Sequence, residues 1–182
     1  MARKKSQKIN QAYAFKLYDK LIHRARNKAL YQVAGGLPDN YETRTECLFL
    51  HLFLFYQRCH NDPILTPIAD QMANIVTKDM EDNLRELGAG DMKIGKKVKA
   101  MMLRLYGRLD AYWGAFSLSQ GQEKAQINCL QRNLFSFGGG EEPQIIETYR
   151  HYIAQFQAAL KQQASDEFLN DDYEFPHITP SA

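Results

Sequence analysis

The ten residues Cys47–Tyr56 constrain this chain more than any other segment. Leu48, Phe49, Leu50, Leu52, Phe53, Leu54 and Phe55 leave almost no polar face on a helix running from Glu42 to about His60. A helix that is apolar all round belongs in the centre of a domain, because no side of it can face water without loss. A short buried strand over Leu48–Phe55 is the competing reading; leucine content, length and helical neighbours favour helix. The run is also too short for a membrane span, which needs about 20 apolar residues, and it contains His51.

Such a rod needs other helices around it, and the flanking sequence supplies them. Tyr13, Leu17, Leu21 and Ala25 recur at intervals of four after a candidate N-cap, Asn10, and predict a helix to about Asn27. Leu30–Ala34 is a short further helix, stopped by Gly35, Gly36 and Pro38. After the turn Asn61-Asp62-Pro63, a stripe from Ile68 to Leu87 ends at Gly88, a natural C′ glycine. Asp91 is the expected cap of the next helix, whose stripe runs from Ile94 to Phe116. Ala100, Gly107, Ala111 and Gly114 line up on another of its faces. Glycine inside a helix costs about 1 kcal/mol relative to alanine, so close approach of a second helix is expected at Gly107. A weaker helix covers Gln122–Phe135, Gly138–Gly140 is a break, and a last helix runs from about Pro143 to Ala164.

The fold class is therefore all-α: a single-domain bundle of six to seven helices with a buried apolar central helix. Residues 1–9 read as a basic arm, 10–164 as the helical domain, and 165–182 as a loosely ordered acidic tail.

The net charge of +2 hides an asymmetry. Residues 1–28 hold nine Lys or Arg against Asp19, and residues 141–182 hold eight acids against Arg150 and Lys161. This pattern suits either a basic surface for RNA, anionic lipid or acidic partners, or neutralisation of one end of the chain by the other. Three cysteines form no disulfide framework and fit a reducing compartment. With no secretory signal in view, the expected location is cytoplasmic, with a peripheral place at the inner membrane left open.

Catalytic patterns are weak. Gly90–Lys96 matches G-x-x-x-x-G-K, but a phosphate loop follows a strand and continues with Ser or Thr, whereas here a helix precedes and Lys97 follows. No bound nucleotide is expected. Cys47 and His51 stand four apart, but two ligands do not close a metal site; a buried thiol and a core histidine bonded to a carbonyl are the plainer reading. Neither a metal nor a cofactor is expected. Asp79, Asp82 and Glu86 are spaced as one solvated helical face. Lys93, Lys96 and Lys97 lie in the first turns of a helix, where the macrodipole disfavours cations. Either an anionic partner or the acids of the preceding helix would offset them.

The segments Leu17-Tyr18-Asp19, Leu37-Pro38-Asp39 and Leu50-His51-Leu52 resemble the ubiquinol–cytochrome c chaperone family, the assembly factors for cytochrome b of respiratory complex III. The specific part of the likeness is Leu84–Tyr112, with Leu84-Arg85-Glu86, Gly90-Asp91, Gly95-Lys96, Val98-Lys99 and Tyr106-Gly107-Arg108. It runs from about residue 15 to residue 118. The chain departs from the family at Thr43-Arg44-Thr45, where a glycine-arginine-aromatic run is common, and the region after Ser119 shows no match.

The resemblance implies a helical protein without catalytic activity that acts on newly made cytochrome b. Mitochondrial members work near the ribosomal exit tunnel with a small helper protein. Bacterial members, which this chain resembles, have a shorter N-terminus. The expected partners are nascent cytochrome b and, less directly, the ribosome, an anionic membrane surface and a small helper.

The candidate partner-binding residues are Asp79, Asp82, Arg85, Glu86, Asp91, Lys93, Lys96, Lys97, Lys99, Arg104 and Arg108. Met72, Met80, Met101 and Met102 are candidates for adaptable packing. Two other classes compete. One is a ribosome- or RNA-binding helical adaptor using Arg3, Lys4, Lys5, Lys8 and Lys93–Lys99. The other is an enzyme in which Asp79, Asp82 and His51 share a pocket.

Overall fold

In a computed structural model the apolar run is the axis of the molecule. The structure describes residues 2–32, 36–117, 122–177 and 180, with side chains from Gln7 onward. The chain order is α1 (Ala2–Ala25), α2 (Ala29–Gln32), α3 (Tyr41–Cys59), α4 (Thr66–Glu86), α5 (Asp91–Phe116), α6 (Glu123–Arg132) and α7 (Pro143–Gln162), then a 3-10 turn at Glu167–Leu169. No strand occurs among the described residues. Eleven of the 19 residues of α3 are buried, including every residue from Phe49 to Phe55, so helix and not strand is the outcome there. Asn40 starts α3 by accepting the Thr43 amide at 2.9 Å. The Thr43-Arg44 departure sits at this start, where Arg44 holds Asp39 with two N–H groups at 2.6 and 3.2 Å.

Helices α1, α4, α5 and α7 pack around α3, while α6 bridges α5 and α7. The centre is aromatic. Phe53 lies against Tyr112 of α5 with ring centroids 5.5 Å apart, and Phe55 meets Phe175 edge-on at 5.8 Å. No described helix is long and apolar enough to cross a membrane.

His51 is fully buried within this centre. Its Nδ1 lies 2.7 Å from the Cys47 carbonyl and its Nε2 lies 2.6 Å from the Tyr152 hydroxyl. Nδ1–H donates to the carbonyl, so Nε2 accepts from tyrosine, and the neutral ring satisfies both. Burial drives its pKa down to about 4, against the helping pull of the Cys47 carbonyl. Between pH 6.5 and about 4 the unfolded chain takes up a proton that the folded chain refuses. Stability should thus fall with pH across that window, by roughly 3 kcal/mol in all. Urea unfolding at stepped pH should show this slope in the parent chain and its loss in His51→Gln; an equal slope in both would contradict the assignment.

Several expectations need correction. The first helix begins at Ala2, not at Asn10, so residues 2–9 extend α1 and do not form a separate arm. The side chains of Arg3, Lys4 and Lys5, the end of the short helix at Val33-Ala34, and Ser119 lie outside the described residues. The tail is docked as far as Phe175: Phe168, Tyr173 and Phe175 are buried. It is held to α1 by Lys20, which donates to the Asp171 carbonyl at 2.9 Å and to the Tyr173 carbonyl, and by Arg24, which donates to the Phe175 carbonyl at 2.9 Å. Lys16 pairs with Asp171. The acidic end therefore neutralises part of the basic helix within one chain.

Gly107 is the other correction. A Cβ built there meets nothing within 4 Å, and Ala100, Ala111 and Gly114 are also exposed. No described part of the chain comes within contact of Gly107 on that face.

Candidate functional site

The two helices around the glycine turn pack as antiparallel neighbours. Gly88 takes φ +82°, its amide bonds the Arg85 carbonyl at 2.9 Å, and the Ala89 amide bonds the Leu84 carbonyl at 3.0 Å. These two bonds are the Schellman closure that glycine permits. Asp91 is not the cap of α5, as expected; Gly90 occupies that position, and Asp91 sits in the first turn. Its carboxylate instead accepts from Arg85 Nη1 at 2.8 Å, across the turn. Arg85 Nη2 also reaches Glu81 at 2.5 Å, so one guanidinium ties both ends of the hinge.

The remaining candidates separate into three groups. Asp79 accepts the Tyr18 hydroxyl of α1 at 2.8 Å. Asp82 and Glu86 are exposed and form no ion pair among the described residues. Lys93, Lys96, Lys97 and Lys99 are likewise exposed and without an ion pair among the described residues. The acids of α4 therefore do not offset these lysines by direct contact.

Arg104 and Arg108 are committed inward and are not displayed. Both hold Glu46, a carboxylate with zero exposure on α3. Arg104 Nε donates to it at 2.9 Å, and Arg108 Nε donates to both of its oxygens at 3.1 and 2.9 Å. Burial works against the charge on Arg108, but the Glu46 hydrogen bonds prevail and keep its proton held more tightly than usual. Sequence reasoning passed over Glu46. The available signal was an acid directly before the all-round apolar run, which a buried position obliges to find cations.

Met72 and Met80 are core residues, Met101 and Met102 are partly buried, and Met92 is fully exposed. His51 is sealed in the core, whereas Asp79 and Asp82 face a surface groove, so the three do not share a pocket. Cys47 is buried, and burial first of all pushes its thiol up to about 12. No group of three His, Cys, Asp or Glu side chains suited to a metal occurs among the described residues. A helix, not a strand, precedes the Gly90–Lys96 pattern.

Two surface depressions flank Asp79. One, about 520 Å³, lies along the seam of α1 and α4; the other, about 390 Å³, opens between α1, α3 and α4 toward Met80 and Met101.

These features define a class: an all-α bundle around one buried apolar helix, with exposed charges on α4 and α5 that make no ion pair among the described residues. Over residues 33–175 the chain matches the ubiquinol–cytochrome c chaperone family, and it belongs to that family. The match passes well beyond residue 118, so the chain as far as Phe175 is part of the family match. The chain is also similar to the crystal structure of the Cbp3 homolog from Brucella abortus, with 29% identity and a TM-score of 0.78. That likeness covers 96% of this chain and 93% of the other. No curated protein matches.

Proposed function

We propose that this protein is a non-enzymatic chaperone that holds newly made cytochrome b and supports assembly of the ubiquinol–cytochrome c reductase complex. The observation that supports this most is the family match over residues 33–175, joined by the likeness to the Cbp3 homolog. The surfaces suit the task. Asp82 and Glu86 stand free for basic loops of a client, and Lys93, Lys96, Lys97 and Lys99 stand free for anionic partners at the ribosome or at the membrane, with or without a small helper protein. A peripheral place at the cytoplasmic membrane face follows from such a role.

Native co-purification of the tagged full chain, read by mass spectrometry, should recover cytochrome b, and deletion of the gene should lower complex III content. Normal complex III in the deletion strain would overturn the proposal. The four unpaired lysines favour a second reading, an RNA or ribosome adaptor. In that case the same co-purification recovers ribosomes, and RNA affinity falls steeply with salt and is lost on reversing those lysines.

A further inference from the structure

The groove along α1 and α4 has a lining of mixed chemistry. Phe15, Ile22 and Ile75 are its apolar part, and Phe15 remains 63% exposed although it belongs to the same helix as the core residues Leu17 and Leu21. Asp19, Asp79 and Asp82 are its acidic part, against one lysine, Lys78, among the described lining residues. None of the three has an arginine or lysine ion pair among the described residues: Asp19 has His23 at 3.7 Å, a partner only when that ring is protonated, and Asp79 accepts from a neutral tyrosine. A partly apolar groove at the seam of two helices, carrying three carboxylates against one lysine, is complementary to one kind of ligand.

We propose that this groove is the docking site of a cationic amphipathic helix from another protein. Its apolar side chains, at i, i+3, i+4 and i+7, would cover Phe15, Ile22 and Ile75. Lysines or arginines along its edges meet Asp19, Asp79 and Asp82. Hydrophobic contact holds the helix in the channel, and the charges select its sign and steer its approach. The inference rests on the chaperone reading only for the ligand being part of a client; the groove chemistry stands without it.

The probe is a labelled peptide of about 18 residues, with leucines at that spacing and lysines on both flanks, titrated with the full chain by fluorescence anisotropy. The parent chain should bind it, and a peptide carrying glutamate for lysine should fail. Asp19→Lys with Asp82→Lys should weaken binding about tenfold or more, and Phe15→Ser should do so to a similar extent. Glu141→Lys, on the loop before α7, should leave it unchanged, with circular dichroism verifying that every variant folds. No binding by the parent chain, or equal affinity in the groove variants, overturns the proposal. So does equal weakening by Glu141→Lys, which would reduce the effect to overall charge. Returning the groove variants to the deletion strain separates the two ideas. Lost peptide binding with unimpaired complex III rescue leaves the chaperone function standing and removes the groove as its client site. Normal complex III without the gene removes the chaperone function and leaves the groove.

Discussion

Replacing Glu46 with glutamine should destabilise the protein by about 3–5 kcal/mol, the range for removing one partner of a buried ion pair. The carboxylate has no exposure, and it is the shared acceptor for two guanidinium groups that reach from α5 to α3. Without its charge, Arg104 and Arg108 are left facing each other in a partly dry space. Their side chains keep 27% and 23% exposure, so water relieves some of the penalty and the lower end of the range is the better expectation. Urea unfolding should show a lower midpoint with an unchanged slope. A companion variant, Glu46→Leu with Arg104→Met and Arg108→Leu, should recover most of the loss, because apolar replacement of a whole buried charge cluster is often neutral. A loss below about 1 kcal/mol in the single variant, the scale of an exposed pair, would show that the cluster is not the brace between these helices.

Phe175→Ala should cost about 3–5 kcal/mol, as other large-to-small aromatic changes in cores do. Phe175 is 1% exposed and lies against Phe55 of the central helix, stacks on Phe156 of α7 at 6.4 Å, and touches Tyr173 at 5.2 Å. Its carbonyl also receives Arg24, so the segment seals the core and anchors the basic helix at once. Asp171→Asn, by contrast, removes an exposed ion pair with Lys16 and should leave stability nearly unchanged. Thermal unfolding of the two variants side by side checks both expectations. Equal effects would mean that charge and not burial holds the C-terminal segment.

The acidic character of residues 165–182 suggested a solvated tail, because net charge with scattered aromatics resembles a chain that cannot form a core of its own. It needs no core of its own: Phe168 and Phe175 enter the core built by α3 and α7. The candidate residues show the same division. Lys93, Lys96, Lys97 and Lys99 are displayed as their spacing implies, while Arg104 and Arg108, equally basic in sequence, are drawn inward by a carboxylate 58 and 62 positions away from them. Asp91 looked like a cap and serves instead as the far anchor of Arg85.

The family resemblance was legible because its residues cluster at the Gly88–Gly90 turn, where backbone requirements restrict what can stand at each position. The groove along α1 and α4 was not, since it arises from two faces about 60 residues apart in sequence.

By itself the amino-acid order determined the all-α class, the central place of Cys47–Tyr56 and the glycine stop at Gly88, because helix periodicity, all-round apolarity and left-handed backbone are local properties. Tertiary structure alone decided which charges are buried and which face water, that Gly107 meets no other helix among the described residues, and that the C-terminal aromatics close the core. Each of those outcomes depends on what another part of the chain brings within a few ångströms, and no local pattern specifies that.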